Sequence, residues 1–486
     1  MDFQSSLALL APEIVLSLSG LALLLLAAWS RNSGRLVSIL AAVALGAGAF
    51  LVAPALCSGA MGPDTMAFGG QFAADAFASF AKILIFVAAI GCLMVAPTFF
   101  DRRGAMRPEY PVLVLFAALG MAIMVSATDF MTLYIGLELN SLAAYVLASF
   151  MRTDGRSAEA GLKYFVLGAL ASGILLYGTS LVYGFTGTTA FSGVRAAMAG
   201  ELSMGLLFGL IFVLAGLAFK IAAVPFHMWT PDVYEGAPTP VTTFFATAPK
   251  VAAVALTARV AMDAFGLQID AWRQIVIFAA LASIVVGALG AIGQSNLKRL
   301  LAYSSINNVG FILIGLAAAT AAGVSAMLVY LAIYVAMSLG SFVAVLMLKN
   351  AAGEHVEGVS DIAGLSSSRP LLALCLAMMM FSLAGIPPLF GFWGKFVVFQ
   401  AAVQADLIVL AAIGIAASVI GAFYYIKIVK VMYFDDAAGV VEGKSDWAHW
   451  LILGVCAVIV SPLGYLLTVP LGNLADRAAE ALLFVA

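Results

Sequence analysis

The stretch Phe212-Val-Leu-Ala-Gly-Leu-Ala-Phe-Lys220-Ile-Ala-Ala-Val-Pro225 is apolar throughout except for one lysine, and it ends on a proline. A charge inside hydrocarbon costs about 2.5–3.5 kcal/mol on insertion scales, so such a lysine must face a partner or water. The same reading extends outward over the chain. Of 486 residues, 64% are hydrophobic and 10% charged, whereas a soluble domain is about a quarter charged. No core of this length hides so much apolar surface, so lipid must cover much of it. The net charge of −2 and the lack of any basic run exclude a nucleic-acid partner. Cys57, Cys92, Cys375 and Cys456 lie far apart in apolar runs, a pattern unsuited to zinc or iron–sulfur ligation. The N-terminus lacks a basic n-region and reads as a retained first span, not a cleaved signal.

Apolar runs of about twenty residues mark transmembrane helices. They fall near 7–29, 36–57, 76–99, 109–127, 130–151, 160–185, 202–225, 241–265, 272–292, 301–321, 324–349, 371–399, 402–433 and 449–469. The expected fold is therefore all-α and integral to the membrane, with about fourteen spans and both termini on one side. Connections after odd-numbered spans define an odd face and the others an even face. Of the 23 Lys and Arg residues, fourteen lie at the odd face, Arg31, Arg35 and Lys444 among them. Three, Arg195, Arg273 and Arg477, lie at the even face. Positive charge stays on the cytoplasmic side, so both termini are expected outside the cytoplasm.

Phe212-Val-Leu-Ala-Gly216 in span seven recurs as Phe381-Ser-Leu-Ala-Gly385 in span twelve. The offset of 169 carries spans four to eight onto nine to thirteen, an odd number of helices. The second copy would then be inverted, as in transporters whose sites lie at discontinuous midplane helices. Spans seven and twelve are the interrupted ones, at Pro225 and at Gly385-Ile-Pro387-Pro388-Leu-Phe-Gly391. The expected organisation is a three-helix segment (1–108), a five-helix repeat (109–265), its inverted copy (266–433) and a C-terminal loop with the last helix (434–486).

Six cations fall inside spans: Lys82, Lys163, Lys220, Lys250, Arg259 and Lys395. Glu138 lies about 12 Å into span five, with Tyr134, Ser141 and Tyr145 on its face. Lys250 follows Pro249 and shares a face with Thr243, Thr247 and Thr257. Lys395 follows the broken stretch of span twelve. Lysine suits proton transfer because it can lose its charge on burial, whereas arginine stays charged. Glu138, Lys220, Lys250 and Lys395 are the expected proton carriers. Lys163 is a further candidate, although Glu159 at i−4 offers an ordinary helix-end ion pair. His227 is a candidate relay, and the Tyr303 hydroxyl could touch a water chain. Lys82 and Arg259, nearer span ends, read as snorkelling side chains. His355 and His449 sit in polar loops. No dinucleotide fingerprint, P-loop or nucleophile elbow is present.

These residues carry a resemblance. Gly136-Leu-Glu-Leu-Asn-Ser-Leu-Ala-Ala-Tyr145 and Ala218-Phe-Lys-Ile-Ala-Ala-Val-Pro-Phe-His-Met-Trp229 resemble signatures of the antiporter-like subunits of complex I. Ala237-Pro-Thr-Pro-Val-Thr-Thr-Phe-Phe-Ala-Thr-Ala-Pro-Lys250, Asn296-Leu-Lys-Arg-Leu-Leu-Ala-Tyr303 and Gly391-Phe-Trp-Gly-Lys395 resemble the subunit N branch. The resemblance implies that Glu138 and Lys220 form a controlling pair with Lys163 between them. It makes Lys250 the central carrier and Lys395 the exit carrier. It also implies that FMN, iron–sulfur clusters and quinone belong to partner subunits, with no cofactor in this chain. The expected setting is the bacterial inner membrane, with other antiporter-like subunits as neighbours and both termini periplasmic. A competing reading is a subunit of a multisubunit Na⁺/H⁺ antiporter, for which further deep carboxylates would be expected beside Glu138. A third is a structural membrane scaffold.

Overall fold

The structure, a computed structural model, describes residues 3–30, 32–200, 202–350, 352–439, 441 and 446–483. Arg31 and Lys444, two of the odd-face cations, lie outside the described residues. The helices follow the predicted spans. They are α1 (Ala11–Trp29), α2 (Gly34–Ser58), α3 (Ala76–Arg102), α4 (Glu109–Ser126), α5 (Phe130–Ala148) and α6 (Gly155–Thr186). α7 is split into Met204–Ile221 and Trp229–Gly236, and α8 into Thr239–Phe245 and Ala248–Arg259. Then come α9 (Ile269–Ile292), α10 (Leu297–Ala317) and α11 (Ala321–Leu346). α12 is split into Pro370–Ala384 and Phe390–Gln404, followed by α13 (Ile408–Phe434), α14 (Trp447–Val460) and α15 (Thr468–Leu483). Short polar residues cap the entrances, as isolated helix starts require. Asp75, Asp129, Ser203, Asn296 and Thr320 each accept a backbone N–H of the first turn of their helix.

Among the described residues, twelve helices are long and apolar enough to cross a membrane. The count is thirteen if the pair Trp447–Val460 and Pro462–Leu483, bent by 68°, is one span. The predicted span at 371–399 is absent from that count because it is divided. Each half of α12 has 15 residues, about 22 Å of helix against a core of about 30 Å. α8, α10 and α11 are buried almost throughout, while α1, α2, α6 and α13 expose long apolar faces, Phe50 and Val419 among them. The first group forms the protein's interior, and the second presents the apolar surface that lipid is expected to cover.

The breaks in α7 and α12 are built alike. Ala222 and Gly385 both take the left-handed conformation, at φ 59° and 81°. The next residue closes each end with a bond back five residues, Ala223 N–H to Ala218 O and Ile386 N–H to Phe381 O. A proline stands three residues beyond each turn, at Pro225 and Pro388. The two breaks coincide at an offset of 163, so the five-letter match at 169 lies six residues out of their register. α8 carries a third break that the sequence reading lacks. Pro249 has no N–H and its ring opposes the carbonyl four residues back, and the helix parts at Ala246–Thr247.

Ion pairs and hydrogen bonds tie the odd connections into one face. Arg156 meets Glu235 and Glu357, and Arg35 meets Asp101. On the even face Arg195 meets Asp263, and Thr189 donates to Asp129. Both ends of the described chain join that even face. Ser6 accepts the Phe68 N–H, Ser325 donates to Asp476, and Arg477 donates to the Cys57 carbonyl.

Glycine brings α4 and α5 into backbone contact. A Cβ at Gly120 would stand 2.5 Å from the Asn140 nitrogen and 2.7 Å from the Gly136 carbonyl. Neither atom can move without moving α5 and Glu138 with it. Gly120→Ala is expected to cost about 1–3 kcal/mol through overpacking, seen as a lower melting temperature of the purified assembly. Gly46→Ala, where nothing lies within 4 Å, is expected to leave it unchanged.

Candidate functional site

A helix broken inside a membrane leaves carbonyls that must be satisfied internally. At the α7 break, two side chains do this. The Trp229 indole N–H donates to Phe219 O at 3.0 Å, and Lys250 Nζ donates to Ile221 O at 2.8 Å. Trp229 is held by a stacked Tyr164, ring centroids 4.5 Å apart. Lys250 is 2% exposed, so snorkelling is closed to it. At the α12 break the arrangement recurs. Lys395 Nζ donates to Ala384 O at 3.0 Å and to Ser418 Oγ at 3.4 Å, and sits 4.4 Å from the Phe311 ring centroid. A cation on a helix C-terminus is favoured by the dipole. Neither lysine has a carboxylate within ion-pairing distance among the described residues.

Lys220 lies at the end of the first half of α7 and reaches α5. Its ammonium donates to Ser141 Oγ at 2.7 Å and lies 5.9 Å from the Tyr145 ring centroid. Ser141 donates onward to Leu137 O. Glu138, one turn before Ser141, has a buried Oε1 without a hydrogen-bond partner among the described residues. The predicted pair is thus brought to one stretch of α5, with Lys220 bonded to Ser141 and, among the described residues, no direct ion pair to Glu138. His227 sits in the α7 break, half-buried, its Nδ1 buried and unpartnered.

Three expectations shift. Lys163 pairs with Glu159 at 2.7 Å and Asp232 at 2.8 Å, its side chain 41% exposed. It belongs to the odd-face charges, because Asp232 also pairs with Arg299 there. Tyr303 packs its ring against Gly290 of α9; the next residues in the helix face the interior instead. Lys82 and Arg259 do not snorkel. Lys82 Nζ lies 2.7 Å from Glu13 Oε1 with both side chains buried, and Arg259 bonds Asp75 at 2.8 Å and Val125 O at 2.9 Å. A lysine or arginine with a carboxylate within reach stays where it is.

The sequence reading also missed a buried polar cluster beside Lys395. Tyr330 OH donates to Asn308 Oδ1 at 2.5 Å, and Asn308 Nδ2 donates to Ser304 O and Tyr425 OH. Tyr425 and Ser304 share a hydrogen bond of 2.5 Å, and Tyr330 abuts Gly394, next to Lys395. Ser304 and Asn308, four residues apart in an apolar span, were the available signal. On the odd face His355 is half-buried, and desolvation, aided by the nearby Lys349 and Arg103 charges, pushes its ring down to about 3.

Residues 127–421 match the family described as NADH:quinone oxidoreductase/Mrp antiporter, TM. The chain is 76% identical over 483 residues to NADH-quinone oxidoreductase subunit N of Erythrobacter litoralis (strain HTCC2594), covering 99% of each. It superimposes on a chain of respiratory complex I from Thermus thermophilus with TM-score 0.82 and 32% identity, over 96% of this chain and 99% of that one. A chain of the Mrp complex from Dietzia sp. DQ12-45-1b matches at TM-score 0.82 and 22% identity, over 99% and 100%, which speaks for the fold alone.

The Glu13–Lys82 pair yields a test of its own. Breaking a buried pair costs about 3–5 kcal/mol, whereas replacing both partners with apolar residues is close to neutral. Lys82→Met is expected to lower the thermal stability of the assembly, and Glu13→Leu added to it to restore most of the loss. Thermal melts of the purified assembly, read for the single and the double variant, check this.

Proposed function

This chain belongs to the family of subunit N of NADH–quinone oxidoreductase, and from that premise we propose that Glu138, Lys220, Lys250 and Lys395 pass protons across the membrane. It is a multi-pass membrane subunit of complex I, a proton-translocating enzyme, in bacteria. The observation that carries the proposal is Lys250. Its ammonium is buried and hydrogen-bonded to a neutral carbonyl, and among the described residues no carboxylate lies within ion-pairing distance of it. Such a group can give up and regain a proton without breaking an ion pair. Lys395 repeats the arrangement at the second break.

In this reading Glu138 and Lys220 are the control element. A carboxylate whose cationic neighbour changes charge changes its own affinity for a proton, and Lys220, bonded to Ser141 one turn along α5 from Glu138, is that neighbour. NADH oxidation and quinone reduction take place in partner subunits, which hold FMN, the iron–sulfur clusters and the quinone. The flanking partners include other antiporter-like subunits. The helices of 109–265 and 266–433 form two inverted five-helix halves, the first contributing the broken α7 and α8 to the path and the second the broken α12. The excess of basic residues on the odd face makes it the cytoplasmic face of the inner membrane, so both termini are periplasmic.

Glu138→Gln keeps the shape of the side chain and removes its charge. In the assembled complex in proteoliposomes, it is expected to lower the protons moved per NADH oxidised; an unchanged ratio would leave Glu138 a structural group. A reporter at the C-terminus is expected to be accessible from the periplasm, and cytoplasmic labelling would reverse the orientation.

A further inference from the structure

The odd face carries a polar cavity of about 430 Å³ whose walls include Arg103, Arg156, Thr239, Asn296, Lys298 and Glu357. Lys298 is at its floor, 2% exposed, and donates to Glu357 Oε1 at 3.1 Å and to Ala237 O at 2.9 Å. Glu357 is in turn gripped by Arg156 and Asn296, both at 3.2 Å. Burial raises the Glu357 carboxyl, yet Lys298, Arg156 and Asn296 together hold it below the usual range. The pair therefore joins the first turn of α10 to the connection after α11, both within the lining of the cavity.

Directly beneath runs a line of hydroxyls. Thr239 is on the cavity wall. Thr243 Oγ1 donates to Thr239 O at 2.8 Å, and Thr247 Oγ1 donates to Thr243 O at 2.9 Å. All three are buried, at 2%, 0% and 0% exposure, on a helix packed on every side by protein. They form one stripe of hydroxyls, one turn apart, through an otherwise apolar interior. Each donates to a carbonyl of its own helix and keeps lone pairs free to take a hydrogen bond from water. The stripe ends at the α8 break, where Thr247 precedes the turn that carries Lys250. From Thr239 to Lys250 is eleven residues, roughly 16 Å, or half the hydrocarbon core.

We propose that the Lys298–Glu357 ion pair is the gate of a water path that runs from the odd face along Thr239, Thr243 and Thr247 to Lys250. This rests on the reading of Lys250 as a proton carrier, and it adds where Lys250 is loaded and what closes the way. Closed, the pair bars water and leaves Lys250 dry. When Lys298 swings from Glu357, the cavity and the hydroxyl line become continuous. Lys298 and Glu357 are positioning residues here; they control access and need not carry the proton themselves.

The test is side-specific thiol labelling of the whole complex in membrane vesicles of both orientations. The probe is a small, charged, membrane-impermeant methanethiosulfonate. Thr239→Cys and Thr243→Cys are expected to react from the odd face and not from the even face. Adding Glu357→Gln is expected to speed labelling of Thr243→Cys by about tenfold or more, a change of about 1.4 kcal/mol in access. Thr239→Cys, already on the cavity wall, should change little and serves as the control for folding. Labelling of Thr243→Cys only from the even face, or at a rate indifferent to Glu357→Gln while Thr239→Cys reacts normally, would overturn the gate. Labelling reports access, not pumping, so a full proton yield from Lys250→Arg would defeat the carrier reading while leaving this result standing.

Discussion

The constraint on which the structure turns is the hydrogen-bonding debt of a helix broken inside lipid. Backbone carbonyls freed at such a break find no water, and each one left bare costs several kcal/mol. Here the debts at Ile221 and Ala384 are met by lysine ammoniums. A neutral donor would have satisfied the carbonyls equally well, as Trp229 does for Phe219 O. Lysine adds a charge held on an uncharged acceptor. That is a poor way to anchor a helix and a good way to keep a proton exchangeable. The contrast within the molecule is informative. Lys82 and Arg259 are equally buried but each is paired with a carboxylate, Glu13 and Asp75, which Lys250 and Lys395 lack among the described residues.

The break also explains the arrangement around it. Opening α7 lets its second half turn so that Trp229 stacks on Tyr164 of α6 and ties back to Phe219. That places the exit of α7 against the α8 break, where Lys250 is delivered to the free carbonyl. Lys220 leaves the same helix end in the opposite direction, toward Ser141 and Glu138 on α5. One interruption thus brings α5, α7 and α8 to a common point. The close approach of α4 and α5 at Gly120 and Gly136 fixes where that point lies.

Much of this was legible in the sequence. Span positions, the two main breaks and the four deep charges follow from apolar runs interrupted by proline, glycine or a single ionisable residue, signals that are local. What was not legible depends on pairing between distant segments. Lys82 looked like a snorkelling residue because Glu13 is 69 positions away. Lys163 stayed open between a path residue and a helix-end pair with Glu159, because Asp232, its second partner, arrives from the far half of α7. Tyr303 was chosen where Ser304 and Asn308, one position and one turn on, face Tyr330 and Tyr425. Rotation about a helix axis decides such cases, and in an all-apolar setting hydrophobic periodicity carries little information about it.

The central claim is that Lys250 works by changing its protonation state and not by being a fixed cation. Arginine at this position keeps a positive charge and a donor for Ile221 O but does not lose its proton at physiological pH. The most direct measurement is the number of protons moved per NADH oxidised by assembled Lys250→Arg complex in proteoliposomes, read beside Lys250→Met. The account predicts that both fall well below the unsubstituted complex and that arginine recovers little. Full proton yield with arginine and none with methionine would show Lys250 to be a fixed charge and would contradict it.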